Sequence, residues 1–294
     1  MYPGDYAKIR ADEPAFIMAT SGESVTFREY ESRANRLAQF FRDQGLDRLD
    51  HVALFMENNP RLLECEGAAE RSGLYYTLIN SHLAVEEIAF IVNDCNPRNF
   101  ITSWAMSEIA YQLPALCPNV ERWLMVDTDS PQEPFEPYLE VLNPYSGEPI
   151  SDEWFGAPMF YTSGTTGRPK GILRKLPALR PGDVMGGVRI QQTVCRFREG
   201  QQYLSPAPLY HGAPQASVAA TMRLGGTQSS WSALIQRSSC NSFPSTKLRI
   251  SRWPPRCFHG FSSCPKSCAT PPMCPRWKRS FTPPRRAQFR SRSR

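Results

Sequence analysis

The sequence lacks long hydrophobic runs, a recognisable export signal and internal repeats. No window approaches the roughly 18 consecutive apolar residues of a membrane-spanning helix. The first fourteen residues do not show the basic and then apolar pattern of a secretory signal peptide. We therefore expect a cytoplasmic protein, with peripheral contact as its closest association with a membrane, and reduced rather than bridged cysteines.

The nine cysteines also lack the paired spacing of a zinc site. In the last part of the chain, four cysteines are separated by 6, 3 and 5 residues rather than grouped in close pairs. A zinc site formed by these residues and His259 is thus disfavoured, and we assign no metal ligand. The four are Cys257, Cys264, Cys268 and Cys274, and the cysteines in the body that receive no role are Cys65, Cys95, Cys117 and Cys195.

Acidic residues are absent from residues 228–294, although the whole chain has a net charge of only +6. This segment holds 14 of the 34 Lys and Arg residues and none of the 28 Asp and Glu residues. It is also rich in Ser, Pro and Cys and shows no apolar periodicity. We therefore divide the chain at Thr227, into a body of residues 1–227 and a basic tail that we expect to be disordered.

Helical and strand patterns alternate along the body, which predicts crossover connections and a mostly parallel sheet. Thr26 and Glu29 form a capping box ahead of an amphipathic helix that Gly45 ends. Residues 127–152, rich in Pro, Glu and Ser, predict a surface connection. The other predicted helices are 58–73, 83–92, 107–116, 184–194 and 215–224, and the predicted strands are 52–55, 74–79, 100–102, 123–126, 158–162 and 203–205.

The segment YTSGTTGRPKG, Tyr161–Gly171, follows the predicted strand 158–162. Gly164 and Gly167 permit positive φ angles and close backbone approach, so successive amides can form an anion-binding nest. Hydroxyl donors and a mobile cation, Lys170, complete a composition suited to a nucleotide triphosphate. The spacing differs from the Walker loop. A glycine-rich turn without a ligand is the alternative for a motif of this general kind.

The eleven residues together resemble the phosphate loop of the adenylate-forming superfamily, which includes acyl-CoA synthetases, peptide-synthetase adenylation domains and luciferases. The resemblance extends through SVTFREYESRANRLAQFFRDQGL, HVALFMENNP, SGLYYTLINSHLAVEEIAFIVNDC and LSPAPLYHGAP. Within the superfamily, the body is most similar to bacterial fatty-acid-CoA ligases. The implied fold is α/β, an incomplete N-terminal domain with parallel sheets and flanking helices.

The resemblance implies a reaction in which ATP and a carboxylic acid give an acyl adenylate and pyrophosphate, after which coenzyme A displaces AMP. ATP, Mg2+ and coenzyme A are the implied cosubstrates and cofactor, with a fatty or other carboxylic acid as partner. His211 would flank the acyl carboxylate, with packing beside Tyr210 as the alternative role. The implied phosphate-binding residues are Thr162, Ser163, Gly164, Thr165, Thr166, Gly167 and Lys170.

Later superfamily segments, including the ribose-binding Asp and the C-terminal catalytic Lys, are missing from the tail. Reading the tail one base out of frame, with permitted codon choices, gives VVMERFDPE from Gln228, ATMFPRLLKLPEELRD from Arg249 and SLEAVIHAAAPCPVPVKE from Pro275. These stretches resemble the superfamily's continuation. We infer a one-base frameshift just after Thr227 and expect the chain to be inactive or impaired.

Three alternatives remain open at the level of the sequence. The body could be an adenylation domain for amino or aryl acids rather than a fatty-acid ligase. It could also be a noncatalytic fragment that binds a nucleotide. Fourteen cations without an acid would attract nucleic acid, but a solvated disordered segment is the commoner outcome. We therefore predict no specific nucleic-acid partner.

Overall fold

A computed structural model of the chain describes residues 2–162, 169–205 and 207–230. The helices are α1 (Pro3–Ile9), α2 (Phe27–Asp43), α3 (Pro60–Arg71), α4 (Val85–Cys95), α5 (Ser107–Ala110), α6 (Tyr138–Leu142), α7 (Gly186–Val194) and α8 (Gly212–Arg223). The strands are β1 (Pro14–Met18), β2 (Ser24–Thr26), β3 (His51–Phe55), β4 (Tyr75–Leu78), β5 (Asn99–Ser103), β6 (Arg122–Val126), β7 (Phe135–Pro137), β8 (Ala157–Thr162), β9 (Lys170–Ile172), β10 (Gln202–Ser205) and β11 (Thr227–Ser230).

The strands form two sheets. The larger sheet has the order β7-β6-β5-β3-β4-β8-β9, and all of its pairs are parallel except β8 with β9. The smaller sheet has the order β10-β11-β1-β2, and only the β1–β2 pair is antiparallel. The predicted α/β class with parallel sheets and flanking helices is therefore confirmed. No helix in the described ranges is long and apolar enough to cross a membrane.

Helix α2 follows directly from its sequence pattern. The Thr26 hydroxyl accepts a hydrogen bond from the Glu29 amide at 3.2 Å, and the Glu29 carboxylate accepts one from the Thr26 amide at 2.9 Å. The helix buries one face in the core and ends just before Gly45, which has a φ of 70°. Both the capping box and the glycine stop were predicted. The buried face consists of Phe27, Tyr30, Ala34, Asn35, Leu37, Ala38, Phe40 and Phe41.

The sequence did not predict α1, β1, β2, β9 or β11, and two segments that it did describe have a different structure. The connection 127–152 adds to the larger sheet, because β7 pairs in parallel with β6 and α6 follows it directly. Phe135, Tyr138 and Leu142 in this segment are buried. The helix predicted for residues 107–116 is only four residues long and continues as turns. Local composition did not reveal β7 because this strand has only three residues and depends on β6 for its hydrogen bonds.

The C-terminal end of α3 connects several elements of the fold. Arg71 is completely buried, and its guanidinium donates to both carboxylate oxygens of Glu31 in α2 at 2.8 Å. Its carbonyl accepts a hydrogen bond from the Trp154 amide at 3.0 Å. The adjacent Glu70 side chain pairs with Arg223 at the end of α8. Helix α3 therefore joins α2, α8 and the segment that leads into β8.

Strand β11 lies between β1 and β10 in the smaller sheet. Gln228 pairs with Phe16 on one side and Tyr203 on the other, and it is completely buried. Among the described residues, neither its side-chain nitrogen nor its side-chain oxygen has a hydrogen-bond partner. A buried, unpaired amide costs about 1–3 kcal/mol. An apolar side chain would therefore suit position 228 of this interior strand better than glutamine does.

Replacing the buried amide tests this conclusion. We expect Gln228→Val to raise the free energy of unfolding by about 1–3 kcal/mol, since it removes the unpaired polar group and introduces a residue with high strand propensity. Urea denaturation measures the change. Gln192→Val, at an exposed position in α7, is the control and should change the free energy by no more than about 0.5 kcal/mol. Unchanged or lower stability of Gln228→Val would contradict the conclusion that the unpaired amide destabilises the fold.

Candidate functional site

The predicted phosphate loop begins where several parallel strands end. Strands β3, β4 and β8 are parallel neighbours, so their carboxyl ends lie at the same edge of the larger sheet. In open α/β sheets, ligands bind at this edge. The loop that follows β8 and the turns that follow β3 and β4 therefore share one side of the molecule.

The two ends of the phosphate loop are held by an antiparallel pair of strands. Thr162, the last residue of β8, pairs with Lys170, the first residue of β9. Both are exposed at the point where the loop leaves the sheet. The sheet thus brings together two of the predicted phosphate-binding residues. The other five, Ser163, Gly164, Thr165, Thr166 and Gly167, lie outside the described residues.

Tyr161 anchors the end of strand β8, just before this loop. Its hydroxyl donates a hydrogen bond to a carboxylate oxygen of Asp94, near the end of α4. Burial and this hydrogen bond both raise the pKa of the tyrosine above its usual value. Its ring also packs partly against the cluster of buried residues between α4 and the larger sheet. The outgoing strand is therefore fixed against α4 just before Thr162.

His211 lies at the N-cap position of α8, directly after Tyr210. The two rings are in contact, with their centroids 4.5 Å apart, and partial removal from solvent lowers the pKa of the histidine below its usual value. A Cβ on Gly212, the first residue of α8, would lie 3.4 Å from the ring of Phe160 in β8. The start of α8 therefore approaches the strand that carries the phosphate loop.

The buried face of α8 contains a polar cluster. The Gln215 amide nitrogen donates to a carboxylate oxygen of Glu66 at 3.2 Å and to the Tyr76 hydroxyl at 3.1 Å. Burial raises the pKa of Glu66 to about 8, and no cation pairs with it in the described chain. These groups line a small cavity of about 20 Å³ beneath the helix. The first turn of α8 is therefore supported by polar rather than purely apolar contacts.

Other candidate residues have structural roles. Asn80 accepts a hydrogen bond from the His82 amide at 2.9 Å and so caps the turn after β4. Cys65, Cys95 and Cys117 are buried free thiols. Within the described ranges, no three His, Cys, Asp or Glu residues are grouped to hold a metal ion. The cysteines of the tail lie outside the described residues.

One residue of this region was missed by the sequence analysis. Asn58 follows β3, and its side chain contacts the backbone at Ala207 and Leu209, just before His211. The Asn-Asn-Pro sequence indicated a helix cap, and the adjacent Asn59 is that cap, since it accepts the Arg61 amide at 2.9 Å. Nothing local in the sequence distinguishes the two asparagines, because the partners of Asn58 are about 150 residues away.

The sequence of the chain matches a known protein family. The family described as AMP-binding enzyme matches residues 5–259. Crotonobetaine/carnitine-CoA ligase of Proteus sp. is 27% identical over 258 residues, which cover 79% of this chain and 48% of the relative. Medium-chain-fatty-acid-CoA ligase of Ectopseudomonas oleovorans is 30% identical over 164 residues, covering 52% and 30%. This chain thus spans about half of the length of the first of these curated relatives and a smaller share of the second.

Similarity to solved structures supports the fold. The N-terminal domain of FACL13 from Mycobacterium tuberculosis, solved with an inhibitor, has a TM-score of 0.66 and 23% sequence identity. The alignment covers 78% of this chain and 55% of that chain. A red-emitting luciferase from Phrixothrix hirtus has a TM-score of 0.68 at 17% identity, with 80% and 46% covered. At these identities the similarity is one of fold.

The start of β8 provides a test of how the phosphate loop is positioned. A Cβ on Gly156 would lie within 3.0 Å of the carbonyl oxygens of Ala69 and Leu74, both backbone atoms. We expect Gly156→Ala to lower the free energy of unfolding by about 1–3 kcal/mol through this overlap. Thermal or urea denaturation measures it. Gly186→Ala is the matched control, since no atom lies within 4 Å of its added Cβ. Equal effects of the two changes would contradict the close approach.

The buried carboxyl of Glu66 predicts a pH dependence of stability. Its pKa rises from 4.5 in the unfolded chain to about 8 in the fold, so the folded state retains a proton that the unfolded state loses. The Glu66 contribution is therefore complete below pH 4.5 and is lost between pH 4.5 and 8, with a slope of up to about 1.4 kcal/mol per pH unit.

Glu66→Gln should flatten this part of the stability profile. The variant keeps a polar side chain but cannot ionise. Urea denaturation at pH 5, 6, 7 and 8 compares it with the unmodified chain and with Glu86→Gln, which alters an exposed carboxyl in α4. A profile for Glu66→Gln as steep as that of the unmodified chain would show that Glu66 does not carry the dependence.

Proposed function

The chain belongs to the AMP-binding enzyme family, and on this premise we propose that it carries the phosphate-binding half of an ATP-dependent acyl-CoA synthetase. The substrate would be a fatty or other carboxylic acid. The curated relatives named above include ligases that join carboxylic acids to coenzyme A. Because this chain spans about half of their length, the complete reaction is part of the proposal.

In the first step, a carboxylate oxygen attacks the α-phosphorus of ATP, and the bond from that phosphorus to the pyrophosphate oxygen breaks. In the second, the sulfur of coenzyme A attacks the acyl carbon, and AMP leaves. The first step brings two anions together and develops negative charge on the leaving pyrophosphate. Fixed donors and cations around that group therefore stabilise the transition state.

The observation that carries the proposal is the position of Thr162 and Lys170. Their strand pairing places a hydroxyl and an ammonium group at the two ends of the phosphate loop. Phe160, two residues earlier in β8, lies against the first residue of α8. The N-terminal end of a helix carries a partial positive charge. Lys170 would thus bind the terminal phosphates, while His211 at the start of α8 would face the acyl carboxylate.

No residue of the described ranges is assigned here as a ligand for Mg2+. These ranges contain no group of three or more potential ligands, although proteins often bind this ion through one or two carboxylates together with substrate phosphates. No step is therefore assigned to the ion. The contribution of the described chain to charge neutralisation is carried by Lys170 and the end of α8.

We also infer that residues 228–294 arise from a one-base shift of the reading frame. The support is the buried amide of Gln228 in β11, where neither polar atom has a partner in the described chain. The shifted frame places valine at this position. The strand itself runs from Thr227 to Ser230, across the inferred boundary.

The frame can be tested by sequencing the gene across the codons for Leu224 to Ser230 and through Arg294. An added or missing base, with downstream codons for the ribose-binding Asp and the C-terminal Lys, is the expected result. An unchanged frame would overturn the inference. It would leave the phosphate-binding proposal intact, because that proposal depends on the segment from β8 to β9.

Lys170→Ala tests the function directly. We expect it to weaken ATP binding by at least about tenfold, because a charge-assisted contact to phosphate contributes about 1.5–3 kcal/mol. Isothermal titration with ATP at constant ionic strength measures the dissociation constant. Lys175→Ala removes an exposed lysine shortly after β9 and should leave binding nearly unchanged. Equal weakening by both variants would indicate nonspecific charge attraction, and no binding by the unmodified chain would overturn the proposal.

A further inference from the structure

The side chain of Asn58 joins two distant parts of the chain. Its amide nitrogen donates to the carbonyl oxygen of Ala207 at 3.4 Å, and its amide oxygen accepts the backbone N–H of Leu209 at 2.9 Å. The residue is 9% exposed. One planar amide therefore satisfies a backbone acceptor and a backbone donor two residues apart. This arrangement fixes the local path of the backbone more tightly than a single hydrogen bond would.

The segment that Asn58 holds leads directly to His211. Residues 207–210 connect the end of β10 to the start of α8. Leu209 is 1% exposed, and the His211 amide closes the turn by donating to the carbonyl of Pro208 at 3.3 Å. The backbone N–H of Gln215 then donates to the backbone carbonyl of His211 at 3.1 Å, which is the first hydrogen bond of the helix. The position of Leu209 thus restricts the two aromatic side chains that follow it.

Capping of α3 does not account for Asn58. The neighbouring Asn59 caps that helix through the Arg61 amide, and its side-chain nitrogen donates to Asp127 at 2.6 Å. The two residues therefore have separate partners. Asn59 organises the turn at the end of the larger sheet, whereas Asn58 reaches the segment that follows β10 of the smaller sheet.

We propose that Asn58 is the positioning residue for His211, holding the start of α8 beside the strand that enters the phosphate loop. This inference rests on the role of His211 in the proposed function. Without the amide, the Leu209 N–H would need another acceptor, and the Ala207 carbonyl would keep only the Ser205 hydroxyl, at 3.4 Å. The segment would then be free to move away from β3, and the His211 side chain, which is exposed at the start of α8, would move with it.

The test uses the full chain, which contains four histidines, with its histidines isotopically labelled. Each imidazole is followed by NMR during a pH titration. His211→Gln assigns the resonance. In Asn58→Leu, which keeps a similar side-chain volume but makes neither bond, the pKa of His211 should rise toward 6.5, because partial burial now lowers it. The titration of His51 should not change, and hydrogen exchange at the Leu209 amide should become faster.

Asn59→Ala is the matched control, since it removes an amide from the same turn and weakens the cap of α3. It should lower stability while leaving the titration of His211 unchanged. If Asn58→Leu does not fold, Asn58→Ser, which leaves a small polar group, takes its place with the same expected shifts. An unchanged His211 titration and unchanged Leu209 exchange would overturn the inference. Neither readout uses ATP, so failure of the proposed function would be recognised separately.

Discussion

The buried end of α3 is the constraint on which the arrangement of this molecule depends. Arg71 is taken fully out of water and is compensated by both oxygens of Glu31 and by the Gly67 carbonyl at 3.1 Å. Removing one partner of such a pair leaves an uncompensated buried charge. The same end of α3 accepts backbone hydrogen bonds from Trp154 and Gly156. The ion pair thus helps to determine where β8 begins, and with it the point at which the phosphate loop leaves the sheet.

The parts of the fold that the sequence predicted are those with local causes. The Thr26–Glu29 capping box lies within one helical turn, and the apolar repeat of α2 needs no information from elsewhere in the chain. Strands β1 and β2 were missed because neither has a strong pattern of its own. Strand β1 becomes part of a sheet by pairing with β11, which is more than 200 residues later.

The residues of the candidate site likewise divide into those with a local sequence signal and those that depend on distant partners. The phosphate loop was found because its glycines, hydroxyls and lysine are contiguous, and His211 was found through a family resemblance. The close approach of Gly156 to the backbone of Ala69 and Leu74, and the contacts of Asn58, arise only once distant segments have packed. A single sequence contains no signal for such partners when the residue type, here Gly or Asn, also suits an ordinary turn.

The pairing of β1 with β11 has a consequence for synthesis on the ribosome. The hydrogen bond from the Thr227 hydroxyl to the Pro14 carbonyl spans 213 positions. At about 5–20 residues per second, β1 waits roughly 10–40 s before its partner is made. During that time one edge of the nascent β1–β2 pair is open to chaperones or to other chains. The identity of the residues in β11 therefore determines whether β1 acquires its parallel partner strand.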